Sequence, residues 1–588
     1  MNSKNNNMNT LTINKETATV TEKLVSGSFT VIDALLKENV STIFGYPGGA
    51  IMPIYDALYD FRKELNHILV RHEQGAIHAA QGYSRVSGKT GVVFATSGPG
   101  ATNLVTGLAD AMIDSTPLVC ITGQVFAHLL GTDAFQETDI INITTPVTKW
   151  NYQVTDATEI STVLAKAFFI AKTGRPGPVL IDITKNAQLQ MLNYQEYQQC
   201  NFIRSYRPTP EIRIEYVAQA AKAINEAKKP FIVYGQGVIL GNAEKEFLHF
   251  MEKSGIPTAW TIMGMSAIPT NHPLAVGMLG MHGNYGPNLY TNECDVLIAI
   301  GMRFDDRVTG RLDKYARQAK IIHLDIDPAE IDKNVLADIP VWGDCKDTLP
   351  MLTELIDQKT HQDWFQKFRE AKAIEVERLI QPELFPTEGE ITMGEVIQIL
   401  NELTNGEAVI VTDVGQHQMI ACRYAEQTQT RSNITSGGLG TMGFALPAGI
   451  GAKYGAPERT VVAIMGDGGA QMNIQELGTI MQFQPNVKIL ILNNNFLGMV
   501  RQWQELFHEK RYSFTDIQSP DFVQVAKAYG IKGNKVKLRE DLKLALVEML
   551  EHPKSYLLEV AVRMEDNVFP MVPQGKGVSE IVLRKEDI

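Results

Sequence analysis

The apolar positions of the chain gather in short continuous runs, among them "PVLIDI", "KKPFIVYG", "VLIAIG", "KIIHLD", "VVAIM" and "VKILIL". A strand covered on both faces reads in this unbroken way, whereas a strand with one wet face alternates apolar and polar residues. The runs end in glycine-rich turns and lead into stretches of helical character, a rhythm that predicts an α/β chain with mainly parallel sheets. Two polar intervals interrupt it. The first, Asn186 to Pro210, is biased toward Gln, Asn and Tyr. The second, about residues 358–390, is charged, is expected to begin as an exposed helix, and ends in "PELFPTEGE". The expected blocks are residues 25–190, 205–355 and 385–575, with tails at 1–24 and 576–588.

With 588 residues, 44% hydrophobic and 20% charged, the chain has the balance of a globular protein. A formal net charge of -12 argues against a nucleic-acid backbone as partner, because such binding draws on clustered Lys and Arg. Five cysteines stand far apart without a CxxC pair, so neither a disulfide framework nor a zinc site is expected and a reducing compartment fits. No apolar run approaches the roughly 20 residues of a membrane-spanning helix. The opening "MNSKNNNMNTLTINKETATVTEK" has no apolar signal core and no arginine, unlike a secretory signal or a transit peptide. The expectation is a chain that works where it is made, in a bacterial cytoplasm or in the stroma of a plastid that encodes it.

Chemistry enters with "GDGGAQMNIQEL", where the run "VVAIM" ends on an acid set between glycines. An acid there gains little apolar contact and meets a desolvation cost, so something should require the carboxylate. A second apolar run ends in "NNNFLG". If both strands lie in one parallel sheet, Asp467 and Asn494 meet at its carboxyl edge, where ligands gather. A carboxylate, an amide oxygen and a loop carbonyl are hard ligands that suit Mg2+ and leave places for phosphate oxygens. Gly466, Gly468 and Gly469 let backbone N–H groups approach the same anion at a helix N-terminus. A GDG alone is more often a tight turn; the pair of strand ends favours the site.

GDG followed at this distance by NN resembles the diphosphate motif of thiamine-diphosphate enzymes. The resemblance implies three doubly wound parallel-sheet domains, which bind in turn the coenzyme's pyrimidine, FAD, and the diphosphate with magnesium. It implies Asp467, Asn494 and the main-chain oxygen of Phe496 as metal ligands. It also implies an acid for the pyrimidine, and "RHEQGAIHAAQGYSRVSG" offers Glu73 where a short apolar strand gives way to a small-residue helix. Taken alone, an acid in a helix's first turn is explained by the dipole.

"FGYPGGAIMPIYDAL", "TSGPGATN" and "GTDAFQE" resemble one branch of that superfamily, the catalytic subunits of acetolactate (acetohydroxyacid) synthases. In that branch the positions of Gly49, Ala50, Phe135 and Gln136 line the active site, and that of Lys185 lies near the substrate channel. An ordinary solvated lysine fits position 185 equally. "GQGVILG" is a weak dinucleotide fingerprint, since its third glycine comes one residue late. Together with "GMLGMHGNYGPN", "GMRFDDRVTG" and "HLDIDPAEI" it resembles the branch's flavin domain. The implied FAD contacts are Gly235, Gly237, Met263, His282 and Gly301, then Arg303, Asp305, Arg307, Asp325 and Ile326. Tyr285-Gly286-Pro287 departs from many relatives, which leaves that loop's shape open.

In the third block the resemblance assigns Val414, Gly415, Gln416 and His417 to the cofactor, and Gly440 and Met442 to positions beside the thiamine rings. Met442, which as a bare residue would be core filler, becomes the wedge that bends the cofactor. Met499 and Val500 join the cofactor contacts, and Trp503 and Phe507 stand on the same segment. Trp503 implies a preference for the larger acceptor, with one methylene worth about 1–3 kcal/mol in an apolar pocket.

The implied reaction is decarboxylation of pyruvate and transfer of the remaining two-carbon unit to a second 2-oxoacid. Pyruvate as acceptor yields 2-acetolactate and 2-oxobutyrate yields 2-aceto-2-hydroxybutyrate, the first common step toward valine, leucine and isoleucine. A thiamine-dependent pyruvate oxidase or another 2-oxoacid decarboxylase is the alternative. Because Glu73 and Asp467 lie in different blocks, the resemblance implies a site shared between two copies, hence a homodimer or a dimer of dimers. It also implies a separate small regulatory subunit. The "MVPQGKG" stretch is a candidate lid.

Overall fold

In the computed structural model of the chain, residues 23–588 are described. The polar opening up to residue 22, and with it most of the expected tail, lies outside the described residues.

The continuous apolar runs are strands buried on both faces. Val461–Gly466 and Val487–Asn493 are examples: apart from Gly466, every residue of both is buried. The described residues form three sheets of six strands each, and every pairing within them is parallel.

Across the first sheet the strands run Asn66–Leu69, Thr42–Gly45, Gly91–Ala95, Leu118–Gln124, Pro178–Thr184 and Trp150–Val154. Across the third they run Asn433–Thr435, Val409–Thr412, Val461–Gly466, Val487–Asn493, Tyr556–Ala561 and Lys532–Val536. The two orders are the same when strands are counted from each domain's start: second, first, third, fourth, sixth, fifth. The middle sheet differs. It runs Ala275–Met278, Thr258–Trp260, Pro230–Tyr234, Val296–Ile300, Lys320–Asp325 and Ile339–Trp342, the strand order of dinucleotide-binding folds. In all three sheets the chain reverses direction beside its first strand, and the crevice at that switch point is where ligands bind.

The first and third domains pack through equivalent helices, Glu73–Ser87 and Ala445–Gly455, each following its sheet's second strand. Their approach depends on glycine. A Cβ at Gly82 would overlap the Ala448 carbonyl oxygen, and one at Gly451 would overlap that of Ala79. Packing this close gives each backbone the other as its neighbour and leaves no room for a side chain.

Three segments depart from the sequence expectations. Leu24–Ser26 pairs antiparallel with Met191–Asn193, closing the first domain on itself. The helix Gln362–Glu375, expected to be exposed, buries Trp364 and Phe368 against the middle domain. Trp364 also donates Nε1–H to the Pro230 carbonyl at 2.9 Å. Its charged composition hid a narrow apolar stripe that covers the middle sheet. The segment 576–588, expected as a tail, buries Val578, Ile581 and Leu583. The stretch before it pairs with the middle domain through Val572 N–H to the Met281 carbonyl at 2.8 Å and Arg311 N–H to the Lys576 carbonyl at 3.1 Å. "MVPQGKG" is thus held on the chain's own middle domain. No helix among the described residues is long and apolar enough to cross a membrane.

Candidate functional site

A cavity of about 960 Å³ runs from the switch point of the middle sheet to that of the third. At its middle-domain end, Gly235 and Gly237 follow one strand while Gly301 and Arg303 follow its neighbour. The two loops touch: Gly237 N–H donates to the Gly301 carbonyl at 2.9 Å, and a Cβ at Gly237 would stand 2.6 Å from Gly301 Cα. The glycines of "GQGVILG" therefore serve a close backbone approach.

Met263, His282, Arg303, Asp305, Arg307, Asp325 and Ile326 line the same region. Asp325 ends its strand and accepts from Asp327 N–H at 2.8 Å; burial pushes its carboxyl up to about 7. Asp305 is occupied as an N-cap, accepting from Arg307 N–H at 3.0 Å and Val308 N–H at 3.2 Å. Tyr285-Gly286-Pro287 opens a helix, Tyr285–Thr291, and Tyr285 N–H donates to Glu375 at 2.9 Å.

At the third-domain end, the loops after Val409–Thr412 and Val461–Gly466 bring Val414, Gly415, Gln416 and His417 against Gly466, Asp467, Gly468 and Gly469. Gly440, Met442, Asn494, Phe496, Met499, Val500 and Trp503 complete this wall. Trp503 packs on Phe507, ring centroids 4.9 Å apart, and Phe507 itself does not line the cavity. Asp467 opens the helix Asp467–Met472, whose first turn has no side-chain cap. One of its oxygens, Oδ2, accepts from Ser519 Oγ–H at 2.9 Å, while buried Oδ1 has no partner. Burial pushes its carboxyl up to about 6.

Two more buried polar atoms on the cavity are unpartnered, His417 Nε2 and His282 Nδ1. Burial lowers both imidazoles to about 4 and keeps them neutral. Buried polar groups are rarely left without partners. Orphans at both ends of one cavity, an acid among them, fit a wall that polar ligands complete. A cation beside Asp467 would hold the carboxylate ionised, and an amide oxygen and a main-chain carbonyl suit a hard divalent ion. Asn494 and Phe496 are in place to offer them, since Phe496 N–H donates to Asn494 Oδ1 at 3.1 Å and both residues line the cavity.

The first domain's candidates are absent from this wall. Glu73, Gln136 and Lys185 belong to the first domain's own strand ends and do not line the cavity. Glu73, nearly buried, accepts from Asn103 Nδ2–H at 2.9 Å and lies beside Gly100. Gln136 adopts a left-handed backbone with φ 58° against Gly98, and neighbouring Phe135 is 87% exposed. The ammonium of Lys185 lies 5.9 Å from the centre of the Phe126 ring. Glu73, Gln136 and the Gly48–Ala50 turn surround the first domain's switch point, and Lys185 lies farther along the same sheet edge, apart from the cavity.

Sequence reasoning passed over residues that shape the wall. Asp413 directly follows a buried strand, as Asp467 does, and that shared pattern was the available signal. It accepts from Val414 N–H at 2.9 Å, Gly443 N–H at 3.0 Å and Ala445 N–H at 2.9 Å, holding the loop that carries Met442. Asp114 reaches across from the first domain to accept from Gly437 N–H at 2.9 Å and Gly438 N–H at 2.7 Å, while pairing with Arg85 at 3.0 Å. Arg175 lines the cavity and pairs with Glu330 at 2.6 Å. The last two act across domains, where no local motif could point.

Three family models match the chain: the thiamine pyrophosphate enzyme N-terminal TPP binding domain over residues 25–143, the central domain over 217–352 and the C-terminal TPP binding domain over 413–560. An acetolactate synthase large subunit of Parasynechococcus marenigrum is 45% identical over 568 residues, covering 95% of this chain and 91% of the relative. The large subunit of isozyme 2 from Escherichia coli is 44% identical over 560 residues, 95% of this chain and 99% of the relative. That of Cyanidium caldarium is 43% identical over 573 residues, with 95% and 96% covered. With a cavity set at two strand-end crevices and likeness along nearly its whole length, the chain belongs to the acetolactate synthase large-subunit family of thiamine pyrophosphate enzymes.

Proposed function

We propose that this chain decarboxylates pyruvate and joins the remaining two-carbon unit to a second 2-oxoacid, yielding 2-acetolactate or 2-aceto-2-hydroxybutyrate. When bound, thiamine diphosphate supplies the electron sink that makes loss of CO2 feasible. The chain's own residues have the remaining tasks. Asp467, Asn494 and the Phe496 carbonyl would hold Mg2+, with Gly466, Gly468 and Gly469 leaving phosphate oxygens room to approach backbone N–H groups. Gln416 and His417 line the same end, and Met442 props the ring system. Trp503 and Met499 bound the space for the acceptor. At the middle-domain end Arg303 and Arg307, with forked donors, and Asp325, an acceptor for a ribose hydroxyl, would hold FAD.

Glu73 would exchange a proton with the pyrimidine of a coenzyme held by a second copy of the chain, so the working unit would be at least a homodimer. Gln136 and Lys185 approach the substrate in the same shared site. The relatives' designation as large subunits supports a separate small regulatory partner.

The observation that carries this reading is the single cavity joining the third-domain crevice, with its orphaned Asp467 oxygen, to the middle-domain crevice. The test is direct: purified chain with thiamine diphosphate, Mg2+ and FAD, fed pyruvate without oxygen, is expected to release CO2 and accumulate acetolactate. Product that forms only with oxygen, or acetaldehyde in place of acetolactate, would refute it.

A further inference from the structure

We infer that Gln502 is a positioning residue that sets the orientation of the Asn494 amide through Gln416; the inference rests on Asn494 being a cation ligand. An amide presents oxygen at one end and hydrogens at the other, and only the oxygen end serves a cation. Something must therefore decide which way Asn494 faces.

The decision starts at the backbone of one residue, Val568. Gln502 is 1% exposed on the helix Gly498–Phe507. Its Oε1 accepts from Val568 N–H at 2.8 Å and its Nε2–H donates to the Val568 carbonyl at 3.1 Å. Backbone donors and acceptors cannot exchange roles, so Gln502 has one orientation. That orientation offers Oε1 to Gln416 Nε2–H at 3.1 Å. Gln416 Nε2–H also donates to the Asp566 carbonyl at 2.7 Å.

Both partners of that Gln416 nitrogen are acceptors, so Gln416 cannot turn over either, and its Oε1 takes Asn494 Nδ2–H at 3.3 Å. Asn494 Oδ1 is thereby left to accept Phe496 N–H and to face a cation. Gly498 is the space this arrangement needs: a Cβ there would overlap Gln416 Oε1 and stand 2.9 Å from Asn494 Nδ2. Three buried amides in series thus carry the polarity of the Val568 backbone to the metal position. Partners that orient a ligand in this way typically govern affinity by about 10- to 100-fold.

The test measures the dissociation constant of manganese(II), counted by its free-ion paramagnetic resonance signal, in the presence of thiamine diphosphate. Gln502→Met removes the acceptor and is expected to weaken manganese binding about tenfold or more. Gln502→Glu keeps an acceptor for Gln416 and Val568 but buries a charge, so it is expected to melt below Gln502→Met yet bind manganese more tightly. A purely structural role predicts instead that affinity follows melting temperature. The relay is overturned if Gln502→Met binds within about twofold of the parent, or if the two variants rank in affinity as they rank in stability. Should Gln502→Met not fold, Gln416→Met cuts the series at its middle amide with the same expected loss, and parental affinity there overturns the relay equally. A parent that takes up no manganese with the coenzyme overturns the cation site itself, and the relay with it.

Discussion

The first and third domains lay six parallel strands in the same order and open a crevice between corresponding strands, yet they fill it differently. In the third domain the strand Val461–Gly466 runs directly into Asp467. In the first domain the corresponding strand, Gly91–Ala95, runs into Thr96-Ser97-Gly98. The first domain instead places its acid, Glu73, at the head of the helix after the edge strand Asn66–Leu69, two strands from Gly91–Ala95. The equivalent helix of the third domain, Ala445–Gly455, has no acid in its first turn. One topology supplies two similar crevices; a few loop residues decide that one presents the orphaned Asp467 carboxylate to the shared cavity while the other sets Glu73 apart from it. The kinship of the two domains also explains their packing, since the helices that cross are topological equivalents.

The largest expected effect comes from breaking that crossing. Gly451→Val would drive a side chain into the Ala79 carbonyl, and overpacking against backbone costs about 1–3 kcal/mol or more. The expected outcome is loss of the cooperative thermal transition by calorimetry, with failure to recover soluble protein as its extreme. A melting temperature equal to the parent's would mean that the helices can separate at no cost.

Next is the third domain's acid. Asp467→Asn is expected to lower turnover of pyruvate about 10³-fold, the size expected when several kcal/mol of metal-borne stabilisation is lost. The first domain's acid should matter less: Glu73→Gln is expected to cost about 10²-fold at saturating coenzyme, with metal uptake unchanged. Equal effects on metal uptake would erase the division of labour between the two crevices.

A pH experiment isolates burial from ligation. Asp467 is pushed up to about 6 from 3.8 by burial, so the folded chain binds that proton more tightly than the unfolded chain. The group's favourable contribution is present near and below pH 4 and is lost as pH rises through about 6. The loss amounts to about 3 kcal/mol at about 1.36 kcal/mol per unit. Coenzyme-free Asp467→Asn should therefore resist urea better than the parent at pH 8, and the gap should close toward pH 4. A gap independent of pH would show that the carboxylate is not desolvated.

The smallest effect is a recovery. If each site draws its acid from one copy and its metal ligands from another, half of the dimers reassembled from equal Glu73→Gln and Asp467→Asn chains are mixed. Each mixed dimer has one intact site in two, so activity should return to about a quarter of the parent's. Residual activity no greater than the sum of the two variants would place both acids of each site on one chain.

Much of the third-domain site was legible because its chemistry is local. An acid after a buried apolar run, glycines on both sides and an amide at the next strand's end are adjacent in sequence or separated by one helix, so period and turn chemistry reach them. The middle-domain end was legible only by likeness to a family, because "GQGVILG" alone does not distinguish a nucleotide turn from any tight approach of two loops. Asp114 and Arg175 stayed hidden: each acts on a loop hundreds or scores of residues away. The helix Gln362–Glu375 misled, since Trp364 and Phe368 are too few to mark a buried face until the sheet beneath them is known.

By itself, the sequence determined the α/β class and marked several of the buried runs that become strands, and it singled out an acid and an amide at two strand ends, because backbone geometry and turn chemistry act over short stretches. Only the tertiary structure decided that the middle and third crevices share one cavity, that Glu73 stands outside it, and that Val568 sets the orientation of Asn494. Those relations depend on which surfaces meet when apolar faces are buried, and that choice is made by the whole chain at once.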